Sequence, residues 1–175
     1  VGVSPCFRRE VGSHGQSDLG IWRVHQFTKI EQIVITKPEE SWEMHEELLQ
    51  NCIDLWNDLQ IHYEVVNICT GDMGTVAARK YDLEAWNPGA GQYKEIVSCS
   101  NCTDYQANRL QIKYGQPGHA NQPIVHTLNS TAVATSRALV AIMEQNQLAD
   151  GRVTIPQPLV NYMGGQKILE PCNWG

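Results

Sequence analysis

Between residues 21 and 36 β-branched and aromatic side chains dominate (Ile21, Trp22, Val24, Phe27, Thr28, Ile30, Ile33, Val34, Ile35, Thr36), and that density commits this part of the chain to a sheet. Residues 21–27 and 30–36 read as strand segments that follow one another almost directly. Extended backbone sends successive side chains to opposite sides. Arg23, His25, Phe27, Lys29, Glu31, Ile33 and Ile35 therefore share one face. A plainly buried face would not carry Arg23, Phe27 and Glu31 four residues apart, because an unpaired buried charge costs several kcal/mol. Two accounts stay open on these residues alone. One is an internal Arg–Glu pair beneath an aromatic; the other is a ligand floor with cationic, aromatic and anionic subsites in a row.

The rest of the chain supplies more strands and a few helices. Residues 3–7 read as a strand, and a stretch rich in Gly, Ser and His (Gly12, Ser13, His14, Gly15, Gln16, Ser17, Asp18, Gly20) separates it from residue 21. Pro38 opens an amphipathic helix with Glu39, Glu40 and Glu43 in its first turn and Trp42, Leu48, Leu49, Ile53 and Trp56 at helical spacing, ending near Gln60. Residues 63–69, 81–86, 94–98, 110–114 and 124–128 read as strands, and 104–108 as a short helix. A long helix is expected from Ser130 to about Gln145 with Asn129 as its N-cap. Its middle, from 132 to 143, is apolar nearly all round, so it is expected inside the domain. The fold class is α+β, an antiparallel sheet with flanking helices, whose sheet lacks a lead-in because Val1 already belongs to the first strand.

At 175 residues, 42% of them hydrophobic and 18% charged, one domain with its own core is expected. No apolar run approaches the roughly 20 residues that span a bilayer, and no basic, then apolar, segment opens the chain; it reads as cytoplasmic. The six cysteines are too sparse for a disulfide scaffold, and Cys99 and Cys102 lack a second pair to complete four zinc ligands, so they read as core-lining thiols. His25 and His126 read as satisfied core histidines. A net charge of −6 argues against a strong nonspecific grip on nucleic acid. Arg137, in the otherwise apolar helix, needs an anion: a phosphate or a structural carboxylate.

Longer motifs narrow the choice. Phe7-Arg8-Arg9-Glu10, the Gly/Ser loop and Arg23-Val24-His25-Gln26-Phe27-x-Lys29-Ile30-Glu31-Gln32 resemble motif 2 of class II aminoacyl-tRNA synthetases in its seryl form. Leu128-Asn129-Ser130-Thr131-Ala132, then Ala134-Thr135-Ser136-Arg137, resembles motif 3. Tyr81-Asp82-Leu83-Glu84-Ala85-Trp86 and Glu95-Ile96-Val97-Ser98-Cys99-Ser100-Asn101-Cys102 resemble the remaining signatures of that branch. The likeness covers nearly all 175 residues.

The resemblance implies a ligase that activates serine with ATP and loads it onto tRNA(Ser). Arg8 would bridge the α-phosphate and the serine carboxylate, and Arg8, Arg9 and Glu10 would line the ATP site. Phe27 would stack on adenine with Val24 beside the nucleotide and Arg23 near the phosphates. Glu31 would receive the serine ammonium, and Asn129 and Thr131 would meet its side chain. Glu95 and Ser98 would hold Mg2+ or another divalent ion, residues Glu95, Ile96, Val97 and Ser98 would line the nucleotide, and Arg137 would bind the γ-phosphate. Arg8, Arg137 and Glu95 are the catalytic set on this reading, and the complete enzyme is expected to be a homodimer.

The chain has no counterpart of motif 1 or of the N-terminal helical arm that grips tRNA in the family, so residues 1–175 are expected to be the larger, C-terminal part of the catalytic domain of a longer chain. Strand parity poses a difficulty, since Glu95 and Ser98 fall on opposite faces of a regular strand. Two other functions remain open: a ligase of the same fold that loads an amino acid onto a carrier protein, and a truncated, non-catalytic paralogue that binds a protein partner.

Overall fold

The computed structural model describes residues 1–9, 20–116, 118 and 122–172. Glu10 and the loop positions from Gly12 to Asp18 lie outside them. Strands β1 (Gly2–Phe7), β2 (Gln26–Thr36), β3 (Tyr63–Asn67), β4 (Arg79–Asn87), β5 (Gln92–Asn101) and β6 (His126–Ala134) form one sheet in the order β1-β2-β6-β5-β4-β3. Every neighbouring pair is antiparallel, as the α+β reading expects. A two-stranded ribbon of β7 (Val153–Thr154) and β8 (Ile168–Leu169) stands apart from that sheet.

Helix α1 (Ser41–Asp58) covers one face of the sheet. His45, Leu48, Leu49, Cys52 and Trp56 recur at three- and four-residue steps and are buried against Leu83, Val97, Cys99 and Leu128. Pro38 starts a short 3-10 turn ahead of α1, where its missing N–H costs nothing. Gln60 ends the helix in the left-handed conformation at φ 56, letting the Ile61 N–H reach the Trp56 carbonyl at 3.2 Å. Among the described residues no helix is long and apolar enough to cross a membrane.

Several expectations are corrected. The segment at 21–27 is not strand at its start: Gly20–Trp22 forms a 3-10 turn that buries the Trp22 indole, and β2 begins at Gln26. Arg23 and His25 therefore precede the strand, and His25 is exposed rather than a core residue, its Nδ1 lying 3.3 Å from the Arg8 carbonyl. The helix expected from Ser130 begins only at Thr135, as α3 (Thr135–Gln145), because residues up to Ala134 pair with β2. Local preference in that Ala- and Thr-containing run is weak, and two neighbouring strands decide it.

Asn129 is accordingly a mid-strand residue, not an N-cap, and Ala134 caps α3 without a side-chain bond. Nor is α3 enclosed, since Ala138 and Ala141 are buried while Leu139 and Met143 are exposed. Residues 110–114 are not a strand: α2 (Tyr105–Leu110) runs into left-handed Gln111, leaving a single Lys113–Ile124 bridge. Gln145 fastens the end of α3 to the sheet, its Nε2 donating to the Trp86 and His62 carbonyls at 2.7 and 3.0 Å.

Candidate active site

The face of the sheet opposite α1 carries a cavity of about 250 Å3 lined by Arg8, Phe27, Lys29, Glu31, Glu95, Ile96, Ser98, Asn129, Thr131, Ala134, Ser136 and Arg137. Its floor is where β2 meets β6. Phe27, Lys29 and Glu31 point the same way from β2 by simple alternation. On β6, Ala132 is an extra residue between Val133, which pairs with Ile30, and Thr131, which pairs with Glu31. Such a bulge reverses the alternation. Asn129 and Thr131 thus reach the cavity from one side of it and Ala134 from the other, while Val133 turns into the core. The Trp56 indole N–H donates to the Ala132 carbonyl at 3.3 Å and holds the bulge from beneath.

Glu31 is the centre of this floor. Its Oε1 accepts from Asn129 Nδ2 at 3.0 Å, and its Oε2 accepts from the Thr131 hydroxyl at 3.0 Å and lies 2.9 Å from Lys29 Nζ. Lys29 neutralises the carboxylate, and the two neutral donors fix its plane. Asn129 is oriented in turn by the Cys102 thiol, whose sulfur lies 3.8 Å from Asn129 Oδ1. Burial pushes the Cys102 thiol up, and it pushes Cys99 up to about 12, so both are protonated core thiols. Cys99 and Cys102 are free.

A second bulge shapes the wall. On β5, Glu95 pairs with Glu84 and Val97 with Leu83, which leaves Ile96 as the extra residue. Ser98 pairs with Asp82, so Glu95 and Ser98 fall on one face and the parity difficulty disappears. Asp82 stands beside Ser98 on β4, 4% exposed, with its Oδ2 3.4 Å from Lys80 Nζ and its Oδ1 without a partner among the described residues. Burial raises the Asp82 carboxyl, an effect the Ser98 hydroxyl beside it opposes. Burial also raises Glu84, with repulsion from Glu64, Asp82 and Glu95 added to it. These carboxyls repel one another, and a cation beside them relieves that repulsion. Arg137, in the first turn of α3, supplies one: its Nη1 donates to the Glu95 carbonyl at 2.8 Å and to Glu95 Oε1 at 3.1 Å.

Arg8 enters from the end of β1. Its N–H bonds the His25 carbonyl at 2.9 Å, its Nε donates to the Val24 carbonyl at 3.1 Å, and its guanidinium carbon lies 5.1 Å from the Phe27 ring centre. The ring and the planar cation thus form one rim of the cavity.

Of the sequence-derived candidates, Arg8, Phe27, Glu31, Glu95, Ile96, Ser98, Asn129, Thr131 and Arg137 come together on this cavity. Arg9 and Arg23 are exposed and do not line it, and Val24 contributes its carbonyl to Arg8. The Val97 side chain is fully buried on the opposite face, in the core under α1. Glu10 lies outside the described residues. Lys29, Ala134 and Ser136 were not among the candidates. Strand alternation already put Lys29 beside Glu31, but Ala134 carries no polar group and a bulge hides its direction. Among the described residues no three His, Cys, Asp or Glu side chains converge as a metal cage. The donors present are hard oxygens, which suit Mg2+ held jointly with phosphate.

Residues 1–146 match the family model of the tRNA synthetase class II core domain (G, H, P, S and T). A serine–tRNA ligase of Methanocella arvoryzae is 59% identical over 170 residues, covering 97% of this chain and 40% of that protein. The crystal structure of a seryl-tRNA synthetase from Pyrococcus horikoshii, complexed with ATP, superimposes with a TM-score of 0.93 at 56% identity, over 98% of this chain and 38% of that one. A cytoplasmic serine–tRNA ligase from Naegleria fowleri, in complex with AMP, gives 0.91 at 50% identity over 98% of this chain and 41% of its own. The chain spans well under half the length of these relatives.

Proposed function

The chain belongs to the class II tRNA synthetase core family, and we propose that it is the part of a serine–tRNA ligase that joins serine to ATP and then to tRNA(Ser). The observation that carries this reading is the floor around Glu31, where one carboxylate is bonded by Asn129, Thr131 and Lys29 within a cavity rimmed by Arg8 and Arg137. An amino acid needs an anion for its ammonium and a cation for its carboxylate, and serine needs a small polar contact besides. Glu31, Arg8, and Asn129 with Thr131 meet those needs at one place. The serine–tRNA ligases among the relatives support the same substrate.

No side-chain nucleophile is required. A serine carboxylate oxygen attacks the α-phosphorus of ATP, the bond from that phosphorus to the pyrophosphate oxygen breaks, and pyrophosphate leaves. Arg8 orients the carboxylate and the α-phosphate, and Arg137 meets charge on the departing phosphates. Phe27 offers the adenine a flat apolar surface. Glu95 and Ser98 would hold Mg2+, which would neutralise phosphate charge when bound. The 3′-terminal hydroxyl of tRNA then attacks the carbonyl of seryl-adenylate and releases AMP. With a net charge of −6 this segment leaves most of the tRNA grip to other parts of the protein. A homodimer in the cytoplasm completes the proposal.

Serine-dependent exchange of labelled pyrophosphate into ATP tests it, measured on the protein at its full natural length. Exchange with serine and not with alanine or threonine is expected. Exchange with another amino acid, or none at all, would overturn the reading.

A further inference from the structure

Arg137 is held by two groups of Glu95, and one of them has a second task. If Glu95 Oε1 turns to a divalent ion, the ion pair at 3.1 Å is weakened and only the bond to the Glu95 carbonyl at 2.8 Å remains on that side. Arg137 has another neighbour that no substrate can take away. Its guanidinium carbon lies 5.5 Å from the centre of the Trp22 ring, and Lys94 Nζ lies 5.3 Å from the same ring. Trp22 is 8% exposed, belongs to the hydrophobic core, and sits in the 3-10 turn that packs on α3. An indole attracts a cation within about 6 Å of its centre, and more strongly when both are desolvated.

We infer that Trp22 is a positioning residue: its indole holds the Arg137 guanidinium at the phosphate end of the cavity while Glu95 is engaged elsewhere. The inference rests on the ligase reading for what Arg137 does, but the contact itself does not. The location of Trp22 adds a consequence. It lies in the Gly20–Trp22 turn that precedes β2, so the same indole ties that turn to α3. Any disturbance of the Trp22 turn is thereby passed to Arg137, and the ATP site responds while the Glu31 floor, on β2 and β6, does not.

The test compares Trp22→Leu and Trp22→Phe in pyrophosphate exchange by the protein at its full natural length. Trp22→Leu removes the ring, and the KM for ATP is expected to rise about twofold to thirtyfold, the range of a partly buried cation–π contact. The KM for serine should stay within twofold of wild type. Trp22→Phe keeps a ring face and should restore most of the ATP affinity. Because Trp22→Leu could fail to fold, a trifluorotryptophan placed at position 22 alone provides a second measurement. It keeps the shape, withdraws electrons from the ring, and should raise the ATP KM without changing the melting temperature. An unchanged ATP KM with trifluorotryptophan, or equal damage to serine and ATP in Trp22→Leu, would overturn the inference. Failure of the wild-type protein to exchange at all would instead overturn the ligase reading.

Discussion

Glu95 and Ser98 stand on the same face of β5 although they are separated by two residues, because Ile96 is an extra residue opposite the Leu83–Glu84 step. In a regular strand they would point away from each other. The bulge makes a carboxylate and a hydroxyl neighbours on the wall of the cavity and leaves Val97 to fill the core. If these two side chains hold the divalent ion, Ser98→Ala should raise the Mg2+ concentration for half-maximal exchange about tenfold, the loss of one good polar contact. Mg2+ titration of wild type and variant checks this, and identical titration curves would remove Ser98 from the ion site.

Glu31→Gln keeps the shape of the floor residue and removes its charge. The KM for serine is expected to rise far more than that for ATP, with a loss of about 1.5–3 kcal/mol in kcat/KM for serine. Lys29 lies 2.9 Å from Glu31 Oε2, so the variant also leaves that ammonium unpaired. Steady-state exchange kinetics at varied serine and varied ATP decide the matter; equal damage to both would make Glu31 a structural partner of Lys29.

Arg137→Ala should lower exchange on the order of tenfold to a hundredfold, or about 1.5–3 kcal/mol, while the protein stays folded. The helix is fastened independently by Gln145 and by Thr135, whose hydroxyl donates to the Thr28 carbonyl at 3.0 Å. Circular dichroism and exchange rates on the same preparation provide the check. A folded variant with wild-type exchange would contradict the phosphate role.

Trp56 gives a stability prediction tied to the site. Its side chain is fully buried, and its indole N–H is bonded to the Ala132 carbonyl in the β6 bulge. Trp56→Phe leaves that carbonyl without its donor and opens a small space, at a cost of about 1–3 kcal/mol. Urea unfolding should register the loss. Because Ala132 turns Thr131 and Asn129 toward Glu31, the serine KM should rise as well, and an unaltered serine KM would show that the bulge holds without Trp56.

His45 sets a pH dependence. Its Nε2 lies 3.1 Å from the Cys99 carbonyl, which can only accept, so the neutral ring carries its proton there; burial lowers its pKa below 6.5. The unfolded chain therefore takes up a proton at pH values where the folded one does not. Stability from this residue is fully present above pH 6.5 and falls as the pH drops below it. Asp82 and Glu84, whose carboxyls are raised, act in the opposite sense above the ordinary carboxylate range. Melting temperatures of wild type and His45→Gln between pH 5 and 8 separate the two, and the variant should lose less on acidification. Parallel curves would show that His45 does not titrate in that window.

Much of the fold and of the cavity was legible before any coordinates. The strand parity that unites Phe27, Lys29 and Glu31 and the helical spacing of Leu48, Leu49, Ile53 and Trp56 are local properties, because each records which face of one element meets the core. They determined β2, α1 and the identity of a charged strand face, and the motif resemblance determined the family. What failed were the places where neighbours outvote local preference. Residues 130–134 pair with β2 as strand because hydrogen bonds across the sheet outweigh a weak helical tendency. The Gly20–Trp22 turn interrupts the expected strand because burying one indole against α3 settles the backbone there. The two bulges, at Ile96 and Ala132, are set by pairing with strands far away in sequence. A one-residue offset leaves no composition signal, yet it turns every side chain beyond it to the other face. The sequence by itself therefore determined which residues carry charge and chemistry; only the register between β2, β6, β5 and β4 decided which of them share a cavity.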